Sequence, residues 1–156
     1  MRYLFEIHYR TRQNMAQLLN DVPEEHWLRI PPGHRNNLLW NAGHVVVIQQ
    51  MICYQAARLP MYIDPAFIQA FRKGSAPADW VTPPDRGQVL ETLLQTAEKF
   101  KADYQAGRFE QFPPFATPYK MPFGILVRNV KEAIRFNNTH EAMHLGIMSL
   151  MKKCIA

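Results

Sequence analysis

Two histidines near the C-terminus, His140 and His144, lie four residues apart. In an α-helix this spacing puts both imidazoles on one face, one turn apart, where they can share a metal ion. His44 lies in a second helix-forming segment, next to Gly43, which allows a neighbouring helix to approach closely. Three neutral imidazoles suit a divalent transition metal and leave coordination positions open for water or substrate, as in catalytic sites. We therefore predict a metal site formed by His44, His140 and His144.

Two other interpretations of these histidines are open. As single residues on apolar helix faces they could be ordinary core side chains. The stretch His140-Glu141-Ala142-Met143-His144 also matches the zinc-protease motif H-E-x-x-H. However, no histidine, aspartate or glutamate follows His144 to provide the third ligand, and Ile147 and Leu150 occupy the glycine and third-histidine positions of the longer metzincin motif. The sequence therefore argues against a metalloprotease.

Some polar residues could assist such a site. Asn137 and Glu141 are candidates for orienting an imidazole from outside the ligand set. The alternative is that they form a polar helix flank, with Glu141 facing solvent. Glu141 and Tyr119 are possible proton carriers, but we assign no catalytic residue from the sequence. The remaining histidines, His8, His26 and His34, have no such neighbours and are expected to face solvent or cap local structure.

Four segments show the three- and four-residue spacing of apolar side chains that predicts amphipathic helices. They cover residues 3–20, 37–58, 86–105 and 125–153. The second segment carries His44 and the fourth carries the histidine pair. No segment has a convincing strand pattern, and no domain boundary is evident. The sequence therefore predicts an all-α four-helix bundle that forms one domain over residues 1–156.

Capping residues and prolines place the predicted helix ends and loops. Asn36 and Asp85 are candidate N-caps for the second and third helices. Two long proline-rich loops are expected, over residues 60–85 and 108–124. In the first loop, a short helix is predicted over residues 66–73. Asp64 is its expected cap, Pro65 its first helical residue and Gly74 the residue that ends it. The second loop, rich in proline and phenylalanine, is expected to be ordered and to act as a lid.

The composition narrows the class of protein further. The 156 residues carry a formal net charge of +5, but the 18 lysines and arginines are scattered rather than clustered, so nucleic-acid binding is not predicted. No apolar stretch reaches the roughly 18 residues that a membrane-spanning helix needs. Cys53 and Cys154 follow no secretory signal and are far apart, so we expect no disulfide and a cytoplasmic location. Cys53 is expected to be a small buried apolar residue.

Three stretches of the chain resemble DinB-like proteins, the damage-inducible metalloprotein superfamily, which is distinct from the polymerase of the same name. Residues 36–44 read NNLLWNAGH, residues 71–77 read FRKGSAP and residues 139–147 read THEAMHLGI. The resemblance extends over nearly the whole chain in order and spacing. It implies a bundle of four long helices that binds a divalent metal through His44, His140 and His144, with water at the open positions.

The resemblance also suggests classes of function. Some members of this superfamily resemble transferases that use bacillithiol, mycothiol or glutathione, and others look like isomerases or hydrolases. We therefore expect a metal-dependent enzyme of the thiol-dependent transferase or hydrolase type. Its metal would be Zn, Ni or Fe, with a low-molecular-weight thiol as a further cofactor, an unidentified small-molecule substrate and a homodimeric state. The alternative is a non-catalytic, stress-related helical module that is dimeric and either metal-stabilised or metal-free.

Overall fold

A computed structural model describes residues 2–109 and 114–155, except for the Phe123 side chain. Within this part of the chain five α-helices form. They are α1 (Arg2–Asn20), α2 (Leu38–Gln49), α3 (Pro65–Phe71), α4 (Arg86–Gln105) and α5 (Val130–Ile155). The four long helices pack as a bundle in which α5 contacts α1 and α2, while α4 contacts α1 and α2 as well. The short α3 packs on α2. The predicted all-α four-helix bundle is confirmed.

Helix starts follow the capping chemistry that the sequence predicts, with one shift. The Asp64 and Asp85 carboxylates accept hydrogen bonds from Phe67 N and Gln88 N, both at 2.7 Å. The N-cap of α2 is Asn37 rather than the predicted Asn36, because Asn37 Oδ1 accepts from Trp40 N at 2.8 Å. An Asn side chain satisfies one of the amides that the first helical turn leaves unpaired.

The predicted second helix does not continue as an α-helix to residue 58. After α2 the chain widens into a π-helical turn, Gln50–Tyr54, and then tightens into a 3₁₀ turn, Gln55–Ala57. Arg58 adopts a left-handed conformation with φ of 57° and ends the helical run. Gln50 accepts a hydrogen bond from Tyr62 N at 2.8 Å, which ties the wide turn to the following loop.

The last helix begins later than predicted because a small hairpin precedes it. Two strands, β1 (Tyr119–Lys120) and β2 (Leu126–Val127), pair antiparallel where the sequence suggested no strand. Gly124, with φ of 72°, lies in the connecting turn. Asn129 Oδ1 then accepts from Glu132 N at 2.9 Å and caps α5. Of the predicted second loop, Phe112 and Pro113 lie outside the described residues.

The apolar core consists of two clusters. One joins α1, α2, α4 and α5 around buried residues such as Met15, Leu39, Val46 and Met148. The other gathers aromatic side chains, among them Phe5, Tyr54, Phe100 and Phe109. Among the described residues, no helix is long and apolar enough to cross a membrane.

Candidate metal centre

The three histidines singled out by their spacing lie together inside the bundle. One imidazole nitrogen from each of His44, His140 and His144 lies within 4.8 Å of the others. Their exposed fractions are 6%, 5% and 7%. Helix α2 contributes His44, and successive turns of α5 contribute the other two. In the described part of the chain, no further histidine, cysteine, aspartate or glutamate joins this group.

Two of the imidazoles are oriented by hydrogen bonds at their Nδ1 atoms. His44 Nδ1 lies 2.7 Å from the carbonyl oxygen of Phe71 in α3. Because a carbonyl only accepts, His44 Nδ1 carries the proton, and Nε2 keeps a lone pair for a ligand bond. The His44 tautomer therefore suits metal binding.

His144 is oriented in the same way by a side chain of α2. Its Nδ1 lies 2.8 Å from Asn41 Oδ1. The Asn41 amide nitrogen donates to the Asn37 carbonyl at 2.7 Å, so the oxygen is the atom that faces His144. His144 Nδ1 therefore donates, and its Nε2 is available to a metal. His140 differs from both, because its buried Nδ1 has no hydrogen-bond partner among the described residues.

Gly43 is what allows α3 to reach the site. A Cβ atom built on Gly43 would lie 2.4 Å from the Phe71 ring, so only glycine accommodates that ring. The close approach predicted at Gly43 is confirmed, and the approaching element is the short helix α3. It brings the Phe71 carbonyl to His44.

Aromatic rings pack against the imidazoles. The Trp40 ring stacks on His44, with ring centroids 4.3 Å apart and planes inclined by 14°. Trp40 Nε1 donates to Ser75 Oγ at 3.0 Å, which holds the indole in place. On the other side of the group, Phe136 lies against His140 with ring centroids 6.1 Å apart. These contacts restrict the ring orientations of both histidines.

The surroundings favour neutral imidazoles. Burial lowers the pKa of His44, although the hydrogen bond to Phe71 opposes this. Burial, together with the nearby His44, lowers the pKa of His140 to about 4. Burial and the two neighbouring imidazoles lower the pKa of His144 to about 3. Neutral imidazole is the form that binds a metal, so the group is ready to bind one at neutral pH.

Glu141 neither orients one of the three imidazoles nor faces solvent, the two positions that the sequence suggested. It is fully buried rather than facing solvent. Its Oε1 accepts from His8 Nε2 at 3.1 Å, from Arg12 at 2.8 Å and from Asn137 Nδ2 at 2.8 Å, while Oε2 accepts from Arg12 Nε at 2.6 Å. Arg12 and His8 hold its pKa well below the usual range against the effect of burial. Glu141 and Asn137 therefore hydrogen-bond to one another and not to a predicted ligand, and both oxygens of Glu141 accept from buried donors.

His8 was wrongly expected to face solvent, and the roles of Arg12 and Asn41 were missed. Helical spacing of three and four residues links Phe5, His8, Arg12, Met15 and Leu19 on one face of α1. All five side chains are buried. That stripe was the available signal for a buried polar pair in α1. Asn41 carried only the weaker signal of lying on the same helix as His44.

The other residues considered from the sequence do not belong to the three-histidine group. Tyr119 is 39% exposed in β1, where its ring packs edge-on against Phe115. Cys53 is a free, buried thiol, as expected, and burial raises its pKa well above the usual value. Cys154 is free and exposed.

The chain also matches a known protein family. The family model described as the DinB superfamily matches residues 7–148, a span that includes all three histidines. Among curated proteins none matches the chain significantly.

Proposed function

The chain belongs to the DinB superfamily, and we propose that it binds one divalent transition-metal ion through His44, His140 and His144 and uses that ion in catalysis. The observation that carries the proposal is the convergence of three buried imidazole nitrogens within 4.8 Å. The oriented tautomers of His44 and His144 support it, because each leaves Nε2 unprotonated. The donor set fits Zn, Ni or Fe, all of which accept imidazole ligands.

A set of three protein ligands favours an enzyme over a structural metal site. Structural zinc sites are usually closed by four protein ligands, whereas catalytic sites keep a position for water or substrate. When bound, such an ion supplies Lewis acidity, which lowers the pKa of a water or thiol ligand toward neutrality. We propose a thiol-dependent transferase or a hydrolase on this basis, with a low-molecular-weight thiol as co-substrate in the first case.

The protein residues would prepare the site rather than take part in proton transfer. The Phe71 carbonyl and the Asn41 amide hold the two imidazoles in one tautomer. Trp40 covers one face of His44 and limits the access of water. Glu141 is not proposed as a general base, because both of its carboxylate oxygens accept hydrogen bonds from buried donors, and Arg12 and His8 hold its pKa well below the usual range.

Metal content tests the first half of the proposal. Protein purified without an affinity tag is incubated with zinc, nickel or ferrous iron at neutral pH, desalted and assayed by mass spectrometry. We expect about one equivalent in the wild type and near none in His144→Ala. His34→Ala is the matched control, because it removes an imidazole outside the group, and it should keep the metal. A wild type that takes up no metal would refute the proposal.

Turnover tests the second half. The metal-loaded protein is mixed with an electrophile and with bacillithiol, mycothiol or glutathione in turn, and the loss of free thiol is followed. Ester and amide substrates test hydrolysis in parallel. Activity that disappears in His144→Ala supports the enzyme. A fully loaded protein that is inactive in every assay would favour the alternative, a non-catalytic metal-stabilised module.

The homodimer expected from the sequence stays a prediction. Analytical ultracentrifugation of the metal-loaded protein at several concentrations is the direct measurement. A single species of about twice the chain mass would support the dimer, and a monomer at all concentrations would contradict it.

A further inference from the structure

A complete ion pair, Arg12 and Glu141, lies inside the bundle, and neither side chain hydrogen-bonds to His44, His140 or His144. Arg12 and Glu141 both have exposed fractions of 0%. Arg12 Nε lies 2.6 Å from Glu141 Oε2, and Arg12 Nη2 lies 2.8 Å from Oε1, so the two groups meet in a two-point, fork-to-fork contact. This geometry restrains both the distance and the relative orientation of the two side chains.

The remaining donors of Arg12 reach two other helices. Nη2 also donates to the Val45 carbonyl of α2 at 3.1 Å, and Nη1 donates to the Leu93 carbonyl of α4 at 3.2 Å. One side chain of α1 therefore hydrogen-bonds to each of the other three long helices. Two of its partners adjoin proposed ligands in sequence, since Val45 follows His44 and Glu141 follows His140.

A gain in folding stability does not by itself explain a buried ion pair. Two buried charges lose their hydration, and replacing a buried pair with apolar side chains of similar volume is often neutral or stabilising. The pair does, however, have a specific effect on the placement of the helices. A rigid guanidinium bonded to α2 and α5 at the residues after His44 and His140 sets the separation of these two helices. Metal sites require their ligands to be held within about 0.5 Å of the productive geometry.

We propose that Arg12, held by Glu141, is a positioning residue that fixes the distance between the His44 and His140 imidazoles. This inference rests on the proposed metal function. His8 and Asn137 complete the arrangement, because both donate to Glu141 Oε1 and so help to hold the carboxylate toward Arg12. The pair acts on the metal through helix placement and touches no ligand nitrogen.

The test compares metal binding with folding in the full chain. The double variant Arg12→Met/Glu141→Leu removes both charges together, so no unpaired charge is left in the core. Arg12→Lys keeps the charge but loses the fork. Arg10→Met, on the exposed side of the same helix, is the control. Affinities for Zn²⁺ and Co²⁺ are measured by chelator competition well below each melting temperature, and the visible absorption of bound Co²⁺ reports the ligand geometry.

We expect the double variant to fold, to bind both metals about 10- to 100-fold more weakly and to show an altered Co²⁺ spectrum. Arg12→Lys should lose less affinity, and Arg10→Met should match the wild type. Wild-type affinity and an unchanged spectrum in the double variant would overturn the inference while leaving the metal site intact. If the double variant does not fold, Arg12→Lys decides the test. Wild-type affinity and an unchanged Co²⁺ spectrum in Arg12→Lys would then overturn the inference. A wild type that binds neither metal refutes the proposed function itself.

Discussion

Asn41 Oδ1 lies 2.8 Å from His144 Nδ1, so helix α2 orients a ligand that helix α5 carries. The same helix supplies the proposed ligand His44 three residues further on. A hydrogen bond of this kind fixes the tautomer and the ring plane of a metal-binding histidine. The two helices are thus joined at the site even without a metal.

Substitution of Asn41 should weaken metal binding. Asn41→Ala removes the acceptor for His144 Nδ1, and we expect zinc affinity to fall about 10- to 100-fold. Asn41→Asp keeps an acceptor and should retain most of the affinity, although it loses the donation to the Asn37 carbonyl and is therefore less stable. Chelator competition gives the affinity and urea unfolding gives the stability. Equal affinity in Asn41→Ala and wild type would contradict this role.

Adding one methyl group at Gly43 should disturb both the fold and the site. The new Cβ would meet the Phe71 ring at 2.4 Å, which forces α3 outward and takes the Phe71 carbonyl away from His44. We expect Gly43→Ala to lower the free energy of unfolding by about 1–3 kcal/mol and to weaken metal binding.

Gly146→Ala is a matched control for that substitution. It lies in α5, and a Cβ there meets no atom within 4 Å. Alanine should therefore raise the free energy of unfolding by about 0.5–1 kcal/mol, since glycine is the poorer helix former. Urea unfolding gives the free energy of unfolding of Gly43→Ala and Gly146→Ala. Equal changes in the two variants would contradict a close contact between Gly43 and Phe71.

The metal-free protein should lose stability in mild acid. The pKa values of His140 and His144 are about 4 and about 3 in the folded protein, whereas an imidazole in the unfolded chain has a pKa near 6.5. Below pH 6.5 the unfolded state therefore binds more protons, so stability falls as the pH falls. Between pH 6.5 and 5 the two groups together should lower the free energy of unfolding by roughly 3 kcal/mol.

Chemical denaturation of chelator-treated protein across this pH range measures that effect. The window lies above the range in which ordinary carboxylates titrate, so the histidines dominate it. The variant His140→Leu/His144→Leu should lose most of the pH dependence. A variant with the same pH dependence as the wild type would mean that other groups are responsible.

A second polar cluster should stabilise the fold without affecting the metal. Tyr54 and Tyr62 both donate to Asp103 Oδ2, at 2.8 and 2.9 Å, and Arg108 donates to Oδ1 at 3.0 Å. Tyr54→Phe removes one buried hydrogen bond and should lower the free energy of unfolding by about 1–2 kcal/mol. Zinc affinity should not change. Tyr3→Phe, at a side chain that is 72% exposed, is the control and should leave both quantities unchanged.

Local patterns were sufficient for the architecture. Helical spacing of apolar residues located the four long helices, and aspartates before Phe67 and Gln88 marked two helix starts. These sequence patterns could not decide between neighbouring residues that are equally suited to one structural role. Asn36 and Asn37 are equally good caps by residue type, and only the backbone conformation before Leu38 selects Asn37. The two-residue strands are too short for any periodicity to appear.

The sequence by itself determined which residue types could bind a metal, because imidazole chemistry and a four-residue helical spacing are local properties. The tertiary structure decided how those residues are supported. Asn41 meets His144 across 103 residues, and Arg12 meets Glu141 across 129. Such contacts depend on how helices pack and rotate relative to one another, and that arrangement emerges only when the whole apolar core is buried at once.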